Sequence, residues 1–169
     1  MLITIEGELA GLAPTVIAQT SPVTIYDSFD NIRDMLVADS ADEVDNTIVA
    51  ALPIAAQFSY FTPPNIEPDL AIGVTKANLK ALGLSNLDFV HGINDATITF
   101  NTLFTFDYDS SDGITSGTID FESVALHEIG HALGFQSSVD TVDIAIANNL
   151  TGSYALTPGY SDSRRDSRR

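Results

Sequence analysis

No cysteine occurs in the chain, which excludes disulfides and every thiolate metal site. Basic residues are scarce, 7 against 23 acids, for a formal net charge of −16. Four of the seven are Arg164, Arg165, Arg168 and Arg169, so residues 1–163 set 3 bases (Arg33, Lys76 and Lys80) against 22 acids. Such a body repels nucleic acid and anionic membranes, and neither is expected as a partner. It would favour cations, including Ca²⁺ and basic peptides, but solubility or salt adaptation is the better account of the charge. No apolar run approaches 18 residues, so no transmembrane helix is expected. The opening Met1-Leu2-Ile3-Thr4-Ile5-Glu6 has neither the basic nor the long apolar region of a signal peptide. The chain is therefore expected either to stay inside the cell or to be the mature part of an exported protein. What is present suits one domain with a real core: 169 residues, 44% of them apolar.

Periodicity divides the chain. Leu2–Leu9 alternates and predicts a strand. Gly11–Pro22, punctuated by two prolines, predicts a loop. Ser28–Val37 predicts a helix with Phe29, Ile32, Met35 and Leu36 on its buried face. A second helix is expected over Thr47–Ala56, capped by Asp45 or Asn46 and limited by Pro53. Phe58–Pro68 predicts irregular chain. Leu70–Val74 reads as a strand, followed by a helix over Ala77–Leu82 with Thr75 as its cap and Gly83 as its stop. Leu87–Val90 is ambiguous. Ala96–Asn101 alternates strongly and predicts a strand, which Leu103–Tyr108 could extend or pair. Asp120 is placed to cap a helix over 121–135, with Glu122 near its N-terminal dipole. There Gly130 would allow close approach of another backbone, and Gly134 a left-handed turn. Ser161–Arg169 is poor in apolar residues and is expected to be disordered.

The chemistry concentrates in that helix. Only three histidines occur, His91, His127 and His131, and two belong to the run His127-Glu128-Ile129-Gly130-His131. Residues four apart on a helix leave from one face, so both imidazoles can grip one Zn²⁺. The glutamate between them can take a proton from a water held there. Apolar neighbours, Val124 to Leu126, Ile129, Ala132, Leu133 and Phe135, predict that this is not a surface helix. Two histidines and a glutamate decorating a solvated face remain the bland reading.

A catalytic zinc needs a third protein ligand. No glutamate follows Glu128 and no histidine follows His131. The stretch HEIGHALGFQS resembles the metzincin motif H-E-x-x-H-x-x-G-x-x-H in its first eight positions, with Ser137 where the third ligand belongs. Ala71–Asp140 is similar to bacterial exported metzincin-like metalloproteases, through LGLSN, DATITFNT, IDFESVALHEIGHALGF and SSVD. This resemblance implies an α+β, zincin-like fold, a twisted mixed sheet with an antiparallel edge strand packed on helices that include the metal helix. It implies a zinc endopeptidase with Glu128 as general base, a peptide or protein substrate and an extracellular location. Residues 1–136 would form the N-terminal subdomain, 137–160 a remnant of the C-terminal one, and 161–169 a tail. Some relatives use aspartate as third ligand, and Asp140 is the nearest carboxylate; Asp143, His91 or a missing ligand are the alternatives. Ala96, Thr97, Ile98 and Thr99 would be the edge strand that pairs with substrate by β-augmentation. Tyr154 or Tyr160 could help stabilise an oxyanion. The family's methionine turn is absent, since Met1 and Met35 both lie upstream, and the expected explanation is C-terminal truncation.

Two further readings stay open. A degenerate zincin module would bind zinc or a protein partner without catalysis, and a zinc amidase would use the same histidine pair on small amides. The acidic turn Asp107–Gly113 resembles a calcium loop but departs from the EF-hand spacing, so Ca²⁺ there competes with a solvated turn. Oligomeric state is not legible.

Overall fold

Alternation places the central strands where the periodicity predicts them. The computed structural model describes residues 1–8, 12–40, 49, 51–57, 66–69, 71–136, 147–148 and 152–155. Strand β1 (Ile3–Glu8) pairs in parallel with β6 (Ala96–Asn101), and β2 (Ala18–Pro22) pairs antiparallel with the other side of β6. The order β1-β6-β2 makes this a mixed sheet with β6 at its centre. Ala96, Ile98 and Phe100 of β6 are buried on one face. Ile5 and Thr20 both lie opposite Ile98 in the register, so all three side chains point to that same face.

Three two-stranded sheets complete the described β structure. The strands β3 (Thr24–Ser28) and β5 (Ala71–Thr75) run antiparallel, while β4 (Ile66–Asp69) pairs in parallel with β9 (Gly152–Ala155) and β7 (Phe106–Asp107) with β8 (Ile119–Asp120). Four α-helices are described: α1 (Phe29–Asp39), α2 (Lys76–Ala81), α3 (Leu87–His91) and α4 (Phe121–Ala132). Three start at the side-chain caps their sequences require. Ser28 Oγ accepts from Asn31 N at 3.2 Å, Thr75 Oγ1 from Asn78 N at 3.3 Å, and Asp120 Oδ2 from Ser123 N at 3.2 Å. The architecture is a small mixed α+β fold.

The scarce bases tie the elements together. Lys76 is fully buried and donates to Gly92 O and, at 3.1 Å, to Asn94 O. Its ammonium lies 2.7 Å from Asp88 Oδ1 and 3.3 Å from the buried Asp95 Oδ1, which Lys80 approaches at 2.6 and 2.8 Å respectively. Leu2 N donates to Asp95 Oδ2 at 2.7 Å, which anchors the start of β1. Buried charge on this scale survives only because each partner is paired and hydrogen-bonded. Burial alone would push the Asp95 carboxyl upward, but Lys80, the Leu2 N–H and Lys76 together hold it below the ordinary value. Hydrogen bonds from Lys76 and Lys80 hold Asp88 low, and Asp88 and Asp95 in turn raise Lys80.

Several expectations need correction. Gly11–Pro22 contains β2, and β3 follows at once; Pro22 fits because it ends the strand, where a missing N–H costs no interior ladder bond. Leu87–Val90 is helical. Phe106–Asp107 pairs with Ile119–Asp120 rather than with β6. Within the expected irregular run 58–68, Ile66–Pro68 belongs to β4. The helix expected over Thr47–Ala56 is not continuous: Ala51 is in a turn, 52–54 have no regular structure around Pro53, and Ala55–Gln57 is a single 3₁₀ turn. Residues 137–146 and the tail 156–169 lie outside the described residues.

Candidate metal centre

Helix α4 lies across β2 and β6. Glu128 and Ala132, four residues apart, form its buried stripe at 5% and 0% exposure. His127 and His131 form the next stripe, roughly 100° or less around the axis. That offset sets them at the rim of the packed face, with His127 exposed and His131 half-buried. The expectation that this is no surface helix is therefore half right. Leu126, Leu133 and Phe135 are 62%, 40% and 76% exposed, so the apolar neighbours do not enclose the imidazoles.

The two rings nonetheless converge. His131 Nε2 lies 3.0 Å from His127 Nε2, with the rings nearly perpendicular at 87°. His131 Nδ1 lies 2.8 Å from the carbonyl oxygen of Phe135. A carbonyl only accepts, so Nδ1 carries the proton, and in the neutral ring Nε2 presents its lone pair to His127. A backbone acceptor behind one ring nitrogen is the arrangement that orients metal-bound imidazoles. Two nitrogens sharing a tetrahedral zinc at about 2.0–2.1 Å would stand about 3.3 Å apart, close to the spacing here. The residues present fit two positions of such a site. A direct ring-to-ring hydrogen bond, with His127 Nε2–H donating, satisfies the same geometry without a metal.

Glu128 points elsewhere. Its Oε2 accepts from Thr20 Oγ1 at 2.6 Å, and the same hydroxyl lies 2.9 Å from the Glu128 carbonyl. Thr20 is 1% exposed on β2, so this contact pins the glutamate and its helix to the sheet. Thr20 went unseen in the sequence because its segment reads as loop; Ala18-Gln19-Thr20-Ser21-Pro22 carries too little apolar alternation to mark a strand.

Gly134 has φ 90°, and a Cβ there would fall 2.5 Å from Asn78 Nδ2. The turn after α4 thus demands glycine by its conformation, while the Asn78 amide tip on α2 would have to swing aside for any Cβ. The close approach expected at Gly130 is not present: its nearest neighbour would be Phe135 Cβ at 4.0 Å.

No other candidate joins the pair among the described residues. Among the described residues no group of three His, Asp or Glu side chains is placed to hold a metal. His91 ends α3 and is exposed, away from any such group. Asp140, Asp143 and Tyr160 lie outside the described residues, and Tyr154 sits in β9. Ala96, Thr97, Ile98 and Thr99 cannot serve as a substrate-pairing edge, because β6 is bonded to β1 on one side and β2 on the other. The antiparallel edge strand of this sheet is β2. In the acidic turn, Asp107 accepts from Asp109 N at 3.0 Å and Thr115 N at 2.8 Å, and Asp109 from Ser111 N at 3.1 Å. Those hydrogen bonds keep both carboxyls below their ordinary values and close the turn on itself.

Comparison of the chain with protein-family models, with curated proteins and with solved structures found no match in any of the three.

Proposed function

We propose that the chain is a zinc-dependent endopeptidase of zincin type, in which His127 and His131 supply two metal ligands and Glu128 the general base. The observation that carries the reading is the 3.0 Å convergence of the two ring nitrogens at the edge of α4, with the His131 tautomer set by Phe135 O. Asp140 is proposed as the third ligand, because Ala71–Asp140 resembles metzincin-like enzymes, some of which use aspartate there, and it is the nearest carboxylate in sequence to the expected position. Zinc at such a site supplies Lewis-acid activation of water and of the scissile carbonyl. His131 holds its lone pair forward by donating from Nδ1 to Phe135 O, and His127 completes the pair from the preceding turn. Glu128, released from Thr20 or sharing its hydroxyl, accepts a proton and returns it to the leaving amine. The antiparallel edge at β2 takes over the peptide-pairing role first assigned to β6, because it borders α4. An extracellular location belongs to the same proposal.

A non-catalytic module that binds zinc or a partner is the second reading, favoured by the absence of a third ligand among the described residues. Metal analysis of purified protein, with casein cleavage by wild type and Glu128→Gln, separates the two. Bound zinc with cleavage lost in Glu128→Gln supports the peptidase. Bound zinc with no cleavage by either protein supports the module. No zinc in wild type, with His127→Ala and His131→Ala unchanged in every property, ends both readings.

A further inference from the structure

We propose that the outer edge of β1 is a docking site for an extended peptide that alternates apolar and basic residues. This site stands at the opposite edge of the sheet from β2 and does not depend on the zinc reading.

Strand β1 pairs only with β6 among the described residues, so its other edge offers unpaired N–H and C=O groups. No proline or lysine within Ile3–Glu8 blunts that edge. A groove of about 350 Å³ runs beside it, lined by Ile5, Gly7, Phe100, Phe106, Tyr108 and Phe121 together with Glu6. Three consecutive residues of β1 line it, so the groove opens along the strand's edge and not merely over one face. Helix α4 covers the β2 side of the sheet and leaves the β1 side bare, which is why Ile5 is 67% exposed. The floor is an aromatic cluster: Phe100 and Phe121 have centroids 4.8 Å apart, and Phe121 and Tyr108 4.9 Å.

Alternation selects the occupant. Ile5 faces the α4 side and Glu6 the other. A strand added about 4.7–4.9 Å away must match that pattern across the gap. Its residues beside Ile5 and Gly7 meet the aromatic floor, so apolar side chains fit there. Its residues beside Glu6 meet a carboxylate with no ion pair among the described residues. The body's bases cannot neutralise it: Arg33 is bound to Asp34 and Leu52 O, and Lys76 and Lys80 to Asp88 and Asp95. Opposite charges across a strand pair are favourable and like charges are not. A second copy of this chain, at net charge −16 and with the same acidic strand, is disfavoured as occupant for that reason.

The test is titration of the full chain with a blocked seven-residue peptide alternating lysine with valine and phenylalanine, followed by NMR and amide hydrogen exchange. Expected are slowed exchange along β1, shifts at Ile5, Tyr108 and Phe121, and affinity that falls with salt. A peptide with glutamate in place of lysine should bind at least ten-fold more weakly. Glu6→Lys should reverse that preference, and Tyr108→Ala should weaken binding several-fold; both side chains are exposed, so the fold is retained. Equal binding of the two peptides, indifference to Glu6→Lys, protection on β2 instead of β1, or self-association of the chain through β1 would each overturn the proposal.

Discussion

Replacing Thr20 by valine removes one hydroxyl and almost no volume, which makes it a clean probe of the contact between β2 and α4. Thr20 Oγ1 is the one donor to the Glu128 carboxylate among the described residues, at 2.6 Å, and Glu128 is only 5% exposed. Valine therefore leaves a buried carboxylate without its donor. A buried polar group so stranded costs about 1–3 kcal/mol, and a charged acceptor lies toward the upper part of that range. Thr20→Val is expected to lower stability by about 2 kcal/mol, which for a chain of this length is roughly 4–8 °C in Tm. The measurement is urea unfolding at neutral pH followed by far-UV circular dichroism. Glu128→Met and the double variant complete a cycle. Removing both partners leaves nothing stranded, so the double variant should recover part of what Thr20→Val loses. If Thr20→Val lies within about 0.5 kcal/mol of wild type, or the two effects add without coupling, the hydroxyl does not hold Glu128 and the argument fails.

Zinc at about one hundred times its dissociation constant should stabilise the folded chain by about 2.7 kcal/mol, read as a rise in Tm that His127→Ala and His131→Ala both abolish. Gly134→Ala should cost about 1–3 kcal/mol in urea unfolding, because the position combines φ 90° with the approach of Asn78; prior Asn78→Ala should relieve the clash but not the backbone strain. Asp88 and Asp95 are held low in the folded state, so their contribution is complete above about pH 4 and is lost as pH falls through the folded values. Lys80 is raised, so its contribution is complete below its ordinary value of 10.5 and is lost as pH rises through the folded one. Urea midpoints plotted against pH should therefore fall at both extremes in wild type, with a shallower acid limb in Asp88→Asn.

Local chemistry made much of this protein legible from its residues. The caps at Thr75 and Asp120 and the turn at Gly134 act within one helical turn, so spacing alone reveals them, whereas periodicity counts Ser28 into the helix it caps. The strong alternation of Ala96–Asn101 identified β6 for the same reason. Two histidines four apart on a helix share a face whatever surrounds them, and the rings do converge. Which strand forms an edge is a different matter. It is fixed by partners far away along the chain, Ile3 and Pro22 for Ala96 among them, and no pattern within β6 records them.

The sequence by itself determined the helix that carries His127, Glu128 and His131, the shared face of its two imidazoles, and the acidic body, because these depend on spacing and composition. Tertiary structure alone decided that β6 is central, that Thr20 grips Glu128, and that the histidines stand at the rim while β1 is left uncovered. Those outcomes depend on which face of α4 meets the sheet, and that depends on pairings among strands far apart in the sequence, which no local pattern records.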